Sequence, residues 1–168
     1  MIVEILPISA MALKEVRYYT VRLENKEVPE FYDFQKRMSE YNGRELAEIN
    51  RYIQKIGNSY GGAHERHFKP EDAAERLPPP YHEFIESDDP NNFGLRLYCI
   101  RLSASIVILL NGDRKTALKV KDCNYCYPHF DLARKISKAL TKAIVENEIE
   151  LDHYNKEIIV YEDFDLTI

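Results

Sequence analysis

From residue 15 to residue 24 the chain reads EVRYYTVRLE, an alternation rich in β-branched and aromatic side chains, and Asn25-Lys26-Glu27 marks a turn behind it. That pattern predicts a strand. The period then lengthens. Pro29 suits the opening of a helix, and Phe31, Phe34, Met38 and Tyr41 recur three and four positions apart, as do Leu46, Ile49, Ile53 and Ile56 after the break at Asn42-Gly43. These spacings place one apolar stripe on each of two helices, over 29–41 and 44–56, with Gly57 placed as a left-handed cap. Residues 64–69 (HERHFK) predict a polar strand carrying Arg66, stopped by Pro70. The stretch 71–94, with Pro78-Pro79-Pro80 and several acids, predicts a surface excursion.

Residues 95–116 (LRLYCIRLSASIVILLNGDRKT) contain two apolar runs joined at Ser103-Ala104-Ser105, which predicts a hairpin ending on a tight turn. A mixed loop leads to Phe130, Ala133, Ile136, Leu140 and Ile144, which line one face of a long helix whose other face carries Arg134, Lys135, Lys138 and Lys142. The last 24 residues include one further possible strand at 157–161. The predicted order is β-α-α-β-β-β-α. Successive hairpins imply antiparallel pairing, so the expected fold is α+β: an antiparallel sheet with a helical hairpin on one face and the 95–116 hairpin at its centre. The expected organisation is one domain over 1–144 and an acidic extension over 145–168.

Composition narrows the class. With 45% hydrophobic and 30% charged residues among 168, the chain can bury a core and is not wholesale disordered. No apolar run approaches the ~20 residues of a membrane span. The start, MIVEILPI, lacks a basic leader and is interrupted by Glu4, which makes a poor secretion signal. Three cysteines outside any dense framework favour reduced thiols and a cytoplasmic setting.

Charge is segregated. Residues 94–121 carry six Lys/Arg against Asp113, a local +5 in a chain whose formal charge is -5, while 145–168 carries -7. A basic island on an acidic chain points to one anionic contact site, and the acidic end is a candidate to lie across it. Arg96 and Arg101, an odd number of positions apart, should face opposite sides of a strand. Cys123-x-x-Cys126-x-x-His129 offers three ligands where a structural zinc needs four, so no metal is expected. His64 and His67 flank Arg66 and are expected to be structural.

The strand Leu95-Arg96-Leu97-Tyr98-Cys99, followed by Ile106-Val107-Ile108-Leu109-Leu110-Asn111-Gly112-Asp113-Arg114-Lys115-Thr116, resembles the RelE/ParE/HigB superfamily of toxin-antitoxin toxins, in its HigB-like branch. The resemblance covers about residues 44–116. It implies a cytoplasmic bacterial toxin of a type II toxin-antitoxin system, a metal-independent endoribonuclease that cleaves ribosome-associated mRNA without a cofactor. A helix-turn-helix antitoxin would be its protein partner. Carried over by position, it puts Arg66, Arg96, Arg114 and Lys115 around one basic concavity, where cations stabilise charge developing on a phosphate. The acid-base residue has no clear counterpart among Tyr125, Tyr127, His129, His153 and Tyr154. The rival expectation is a non-catalytic interaction module of the same fold, or a toxin of the gyrase-inhibitor type.

Overall fold

The computed structural model describes residues 1–82 and 92–168. Its elements are β1 (Val3–Ala12), β2 (Arg17–Leu23), α1 (Glu30–Tyr41), α2 (Gly43–Asn58), β3 (Lys69–Glu71), β4 (Ala74–Leu77), β5 (Leu95–Arg101), β6 (Ile106–Arg114), α3 (Tyr127–Val145), β7 (Ile149–Asp152) and β8 (Glu157–Val160). Six strands form one sheet in the order β1-β2-β6-β5-β4-β3, and β7 and β8 pair separately. The α+β class and the central position of the β5–β6 hairpin agree with the sequence.

The expectation of an antiparallel sheet is corrected: β2 and β6 are parallel, with Arg17, Tyr18 and Tyr19 opposite Ile106, Val107 and Ile108. Topology explains it. The helical pair carries the chain from β2 to the far edge, where β3 sets out opposite to β2, and the three reversals β3–β4, β4–β5 and β5–β6 then bring β6 beside β2 in the same direction. Strand β1, with no counterpart among the predicted strands, covers the other side of β2. Its Pro7 is tolerated because an edge strand leaves one row of backbone groups outside the ladder.

Helices flank both faces. Phe31, Phe34, Met38, Ile49, Ile53 and Ile56 pack with Tyr18, Leu97, Cys99, Val107 and Leu109 on one side. Ala133, Ile136, Leu140 and Ala143 of α3 pack with Val21, Tyr98, Ile100, Ile106, Ile108 and Leu110 on the other. A sheet buried on both faces needs apolar residues at every position, which is why β6 opens with an unbroken Ile-Val-Ile-Leu-Leu run.

Three local expectations also change. Residues 65–67 form a 3₁₀ turn (Glu65–His67), so Arg66 is on no strand. The stretch 71–94 contains β4 and is not all excursion, although 83–91 lie outside the described residues. Gly57 lies inside α2, where an added Cβ would come within 2.9 Å of Leu13 Cβ, so it serves close packing and not a cap.

The acidic end folds into the body. Ile149 and Leu166 are buried in the α3-side core. Its outward bonds lead to the β1–β2 side: Tyr19 Oη donates to the Lys156 carbonyl at 2.9 Å, Val3 N–H to that of Leu166 at 2.8 Å, and Glu157 lies 3.5 Å from Arg17. The expectation that it lies across the basic island is not met by these contacts. Among the described residues no helix is long and apolar enough to cross a membrane.

Candidate anion-binding site

One irregularity in the β5–β6 ladder decides where the predicted cations go. Leu97 is opposite Gly112 and Cys99 opposite Leu109, so β6 carries one extra residue opposite Tyr98. Such a bulge reverses the alternation of side chains beyond it. Without it Arg114 would share a face with Ile108, Leu110 and Arg96. With it Arg114 turns toward α1, beside Arg37 and Tyr41, and Lys115 turns to the α3 side. Gly112 is required at the pinch, because a Cβ there would sit 1.8 Å from the Arg96 carbonyl oxygen.

On the α3 side the sheet gathers cations from successive strands. Lys69 of β3 pairs with Arg76 of β4, and Arg76 with Tyr98 of β5. Arg96 stands two residues before Tyr98 on the same face. Burial lowers the pKa of Lys115, and the charges of Arg96, Arg76 and Lys69 lower it further while Glu71 opposes them. Arg96, 5% exposed, is brought down to about 10 by burial and then by Arg76, again with Glu71 opposing. Arg76 is buried too; its Nε donates to Glu71 Oε1 at 3.0 Å and its Nη1 to the Pro78 carbonyl at 3.3 Å. Arg96 Nη1 donates to the Leu95 carbonyl at 3.2 Å. Lys69 is exposed and Lys115 half-buried, so lysines rim the cluster and guanidiniums form its floor. The carboxylate of Asp113, across from Arg96 in the ladder, is engaged elsewhere: its Oδ2 accepts from Arg37 at 2.8 Å.

The structure therefore brings Arg96 and Lys115 together, sets Arg114 on the other side of the strand end, and leaves Arg66 apart. Arg66 is exposed, its charge bears on His67 and Tyr81, and Ala63 three residues earlier bonds to Ala104 at the opposite end of the hairpin. Arg76 of β4, and not the Arg66 implied by the resemblance, is the arginine that stands beside Arg96. No local signal in the sequence marked Arg76, because Ala74-Glu75-Arg76-Leu77 does not alternate and runs directly into three prolines. Arg96 and Arg101 do face opposite ways, Arg101 Nε donating to the Ala63 carbonyl on the α2 side.

The acid-base candidates scatter. His153 and Tyr154 occupy the β7–β8 turn. Tyr125 and Tyr127 are exposed near the start of α3. His129 is pushed down to about 4 by burial and then by Arg37, against the opposing charges of Asp113 and Glu30. That neighbourhood is a half-buried network below the bulge. Asn111 Nδ2 donates to Glu30 Oε2 at 2.8 Å and Asp33 Oδ2 at 2.9 Å, Lys26 pairs with Glu30 at 2.6 Å, and Arg37 Nη2 donates to the Gly112 carbonyl at 2.8 Å.

His67 stacks on Tyr60 at 4.7 Å, and its Nδ1 lies 2.8 Å from Tyr81 Oη, consistent with a structural role. Cys123 and Cys126 are both free and buried. Cys126 N–H lies 3.4 Å from Cys123 Sγ, and Cys126 Sγ lies 3.3 Å from the Asp113 carbonyl oxygen. The thiol pair thus backs the segment bearing Arg114 and Lys115. Comparison with known protein families, characterised proteins and solved structures returns no match to this chain.

Proposed function

We propose that this protein is an RNA-binding toxin of the RelE/HigB kind, a metal-independent endoribonuclease directed at ribosome-associated mRNA and neutralised by an antitoxin. The observation that carries the reading is the convergence of Lys69, Arg76, Arg96 and Lys115 from four strand segments, with Glu71 the carboxylate acting on both Arg96 and Lys115. Cations drawn together from separate strands suit an anionic ligand. A phosphate would be held by the lysines at the rim with the guanidiniums beneath. Cleavage would use the 2′-hydroxyl of the RNA as nucleophile, with the cations stabilising charge on the phosphate.

The test is induced expression with and without the neighbouring gene, scored for growth arrest and cleaved messenger. Arrest that Lys115→Gln abolishes is the expected outcome. Normal growth under both conditions removes the toxin reading.

The burial of Arg76 and Arg96 favours a second reading, a non-catalytic module of the same architecture, because a floor guanidinium that cannot reach a scissile phosphate can hold an anion without cleaving it. RNA bound but left intact by purified protein, on and off the ribosome, selects this reading.

A further inference from the structure

On the far side of the strand end from Lys115 lies an open groove of about 550 Å³, formed where the end of α1 meets the end of β6 and the segment before α3. Its lining includes Arg37, Tyr41, Asp113, Arg114 and Tyr125. Two of these are settled. The Arg37 guanidinium is held by Asp33, Asp113, Asn111 and the Gly112 carbonyl, and Asp113 also accepts the Arg114 N–H at 2.7 Å. Asp113 is thereby ion-paired, its Arg37 partner being shared with Asp33. Three are uncommitted. The Arg114 guanidinium has no ion pair or hydrogen bond among the described residues, and Tyr41 and Tyr125 expose 79% and 56% of their surface.

We infer that this groove is a nucleoside subsite: a base of single-stranded RNA stacks on Tyr41 or Tyr125 while Arg114 holds the adjoining phosphate. The inference rests on the RNA-binding reading and names how that RNA is gripped. A lone phosphate does not need a groove of this size, which falls in the range of small-molecule pockets. Exposed aromatic faces beside an uncommitted cation are the pairing that single strands use, stacking for the base and charge for the backbone. Neighbouring residues on a strand face opposite ways, so Arg114 and Lys115 straddle the end of β6. One RNA backbone passing over that end meets both, entering at the α3-side cations and leaving its base at the tyrosines.

The experiment measures fluorescence anisotropy of the full chain with a labelled ten-nucleotide single-stranded RNA and with an abasic oligomer of equal length. Tyr125→Ala combined with Tyr41→Ala should weaken the intact RNA about tenfold and leave the abasic one unchanged. Tyr125→Phe with Tyr41→Phe should restore wild-type affinity, which separates stacking from loss of fold. Arg114→Gln should weaken both oligomers and flatten the salt dependence.

Wild-type protein that binds neither oligomer overturns the RNA reading and the subsite with it. Wild-type binding that Lys115→Gln weakens but the tyrosine variants do not overturns the subsite alone. Equal losses for intact and abasic RNA in the alanine variant make the groove a site for the backbone or for an acidic protein segment, and the nucleoside assignment falls.

Discussion

His129 is acted on by residues from three directions: Lys26 and Glu30 at the start of α1, Arg37 further along it, and Asp113 on β6. Burial and the Arg37 charge outweigh the carboxylates, and the ring stays neutral down to about pH 4. An unfolded chain protonates this residue near its ordinary value of about 6.5. Between those two values the unfolded state binds more protons, so stability falls as pH drops through the interval, by up to ~3 kcal/mol. His129→Gln should flatten that part of the curve. Melting temperatures of the two proteins from pH 7 to pH 4.5 check it, and parallel declines would assign the proton uptake to another group. Cys123 is a contrasting case: burial pushes its thiol up, but the N–H groups of Thr116 and Cys126 more than offset this and bring it down to about 7. Its neighbour Cys126 goes the other way, to about 12, through burial and the nearby Cys123.

At the scale of elements, the bulge in β6 sets the geometry of both candidate sites. Gly112→Ala would drive a methyl group into the Arg96 backbone, which cannot move without breaking the β5–β6 ladder. The expected cost is about 2 to 3 kcal/mol, read as a lower urea midpoint at unchanged slope. A loss below about 0.5 kcal/mol would mean that the strand pair yields at this point. The same bulge marks where sequence reading ends. The three helices were legible because their apolar residues keep a 3.6-residue period, and β5 and β6 because both faces are buried. Pairing order is not a local property, so the parallel β2–β6 contact could not be read from either strand alone. Strand β1 was hidden by Glu4 and Pro7, which an edge strand accepts. The bulge left no pattern in Leu110-Asn111-Gly112, and with it went the knowledge of which face Arg114 takes and which Lys115 takes. Arg76 was missed for a related reason, since a four-residue strand before three prolines resembles a loop.

For the whole molecule, the acidic end is part of the fold and not an arm. Deleting 149–168 would strip Ile149 and Leu166 from the core and remove the acceptor of the Tyr19 hydroxyl. Two large aliphatic side chains lost from a packed interior cost on the order of 4 kcal/mol or more. The truncated chain should therefore melt far below the full one. A truncation that melts as the full chain does would make this end an accessory.

The parallel contact between β2 and β6 joins segments roughly ninety residues apart, a long loop to close before any contact repays it. On the ribosome, β1, β2 and the helical pair leave the exit tunnel well before their sheet partner is made. Until β6 arrives, one edge of β2 is open, and the apolar stripes of both helices have Tyr18 and each other but lack Val107 and Leu109 of the sheet they pack on. The nascent chain is thus exposed to aggregation and to chaperone capture for most of its synthesis, and the candidate sites, both built on the end of β6, are among the last features to exist.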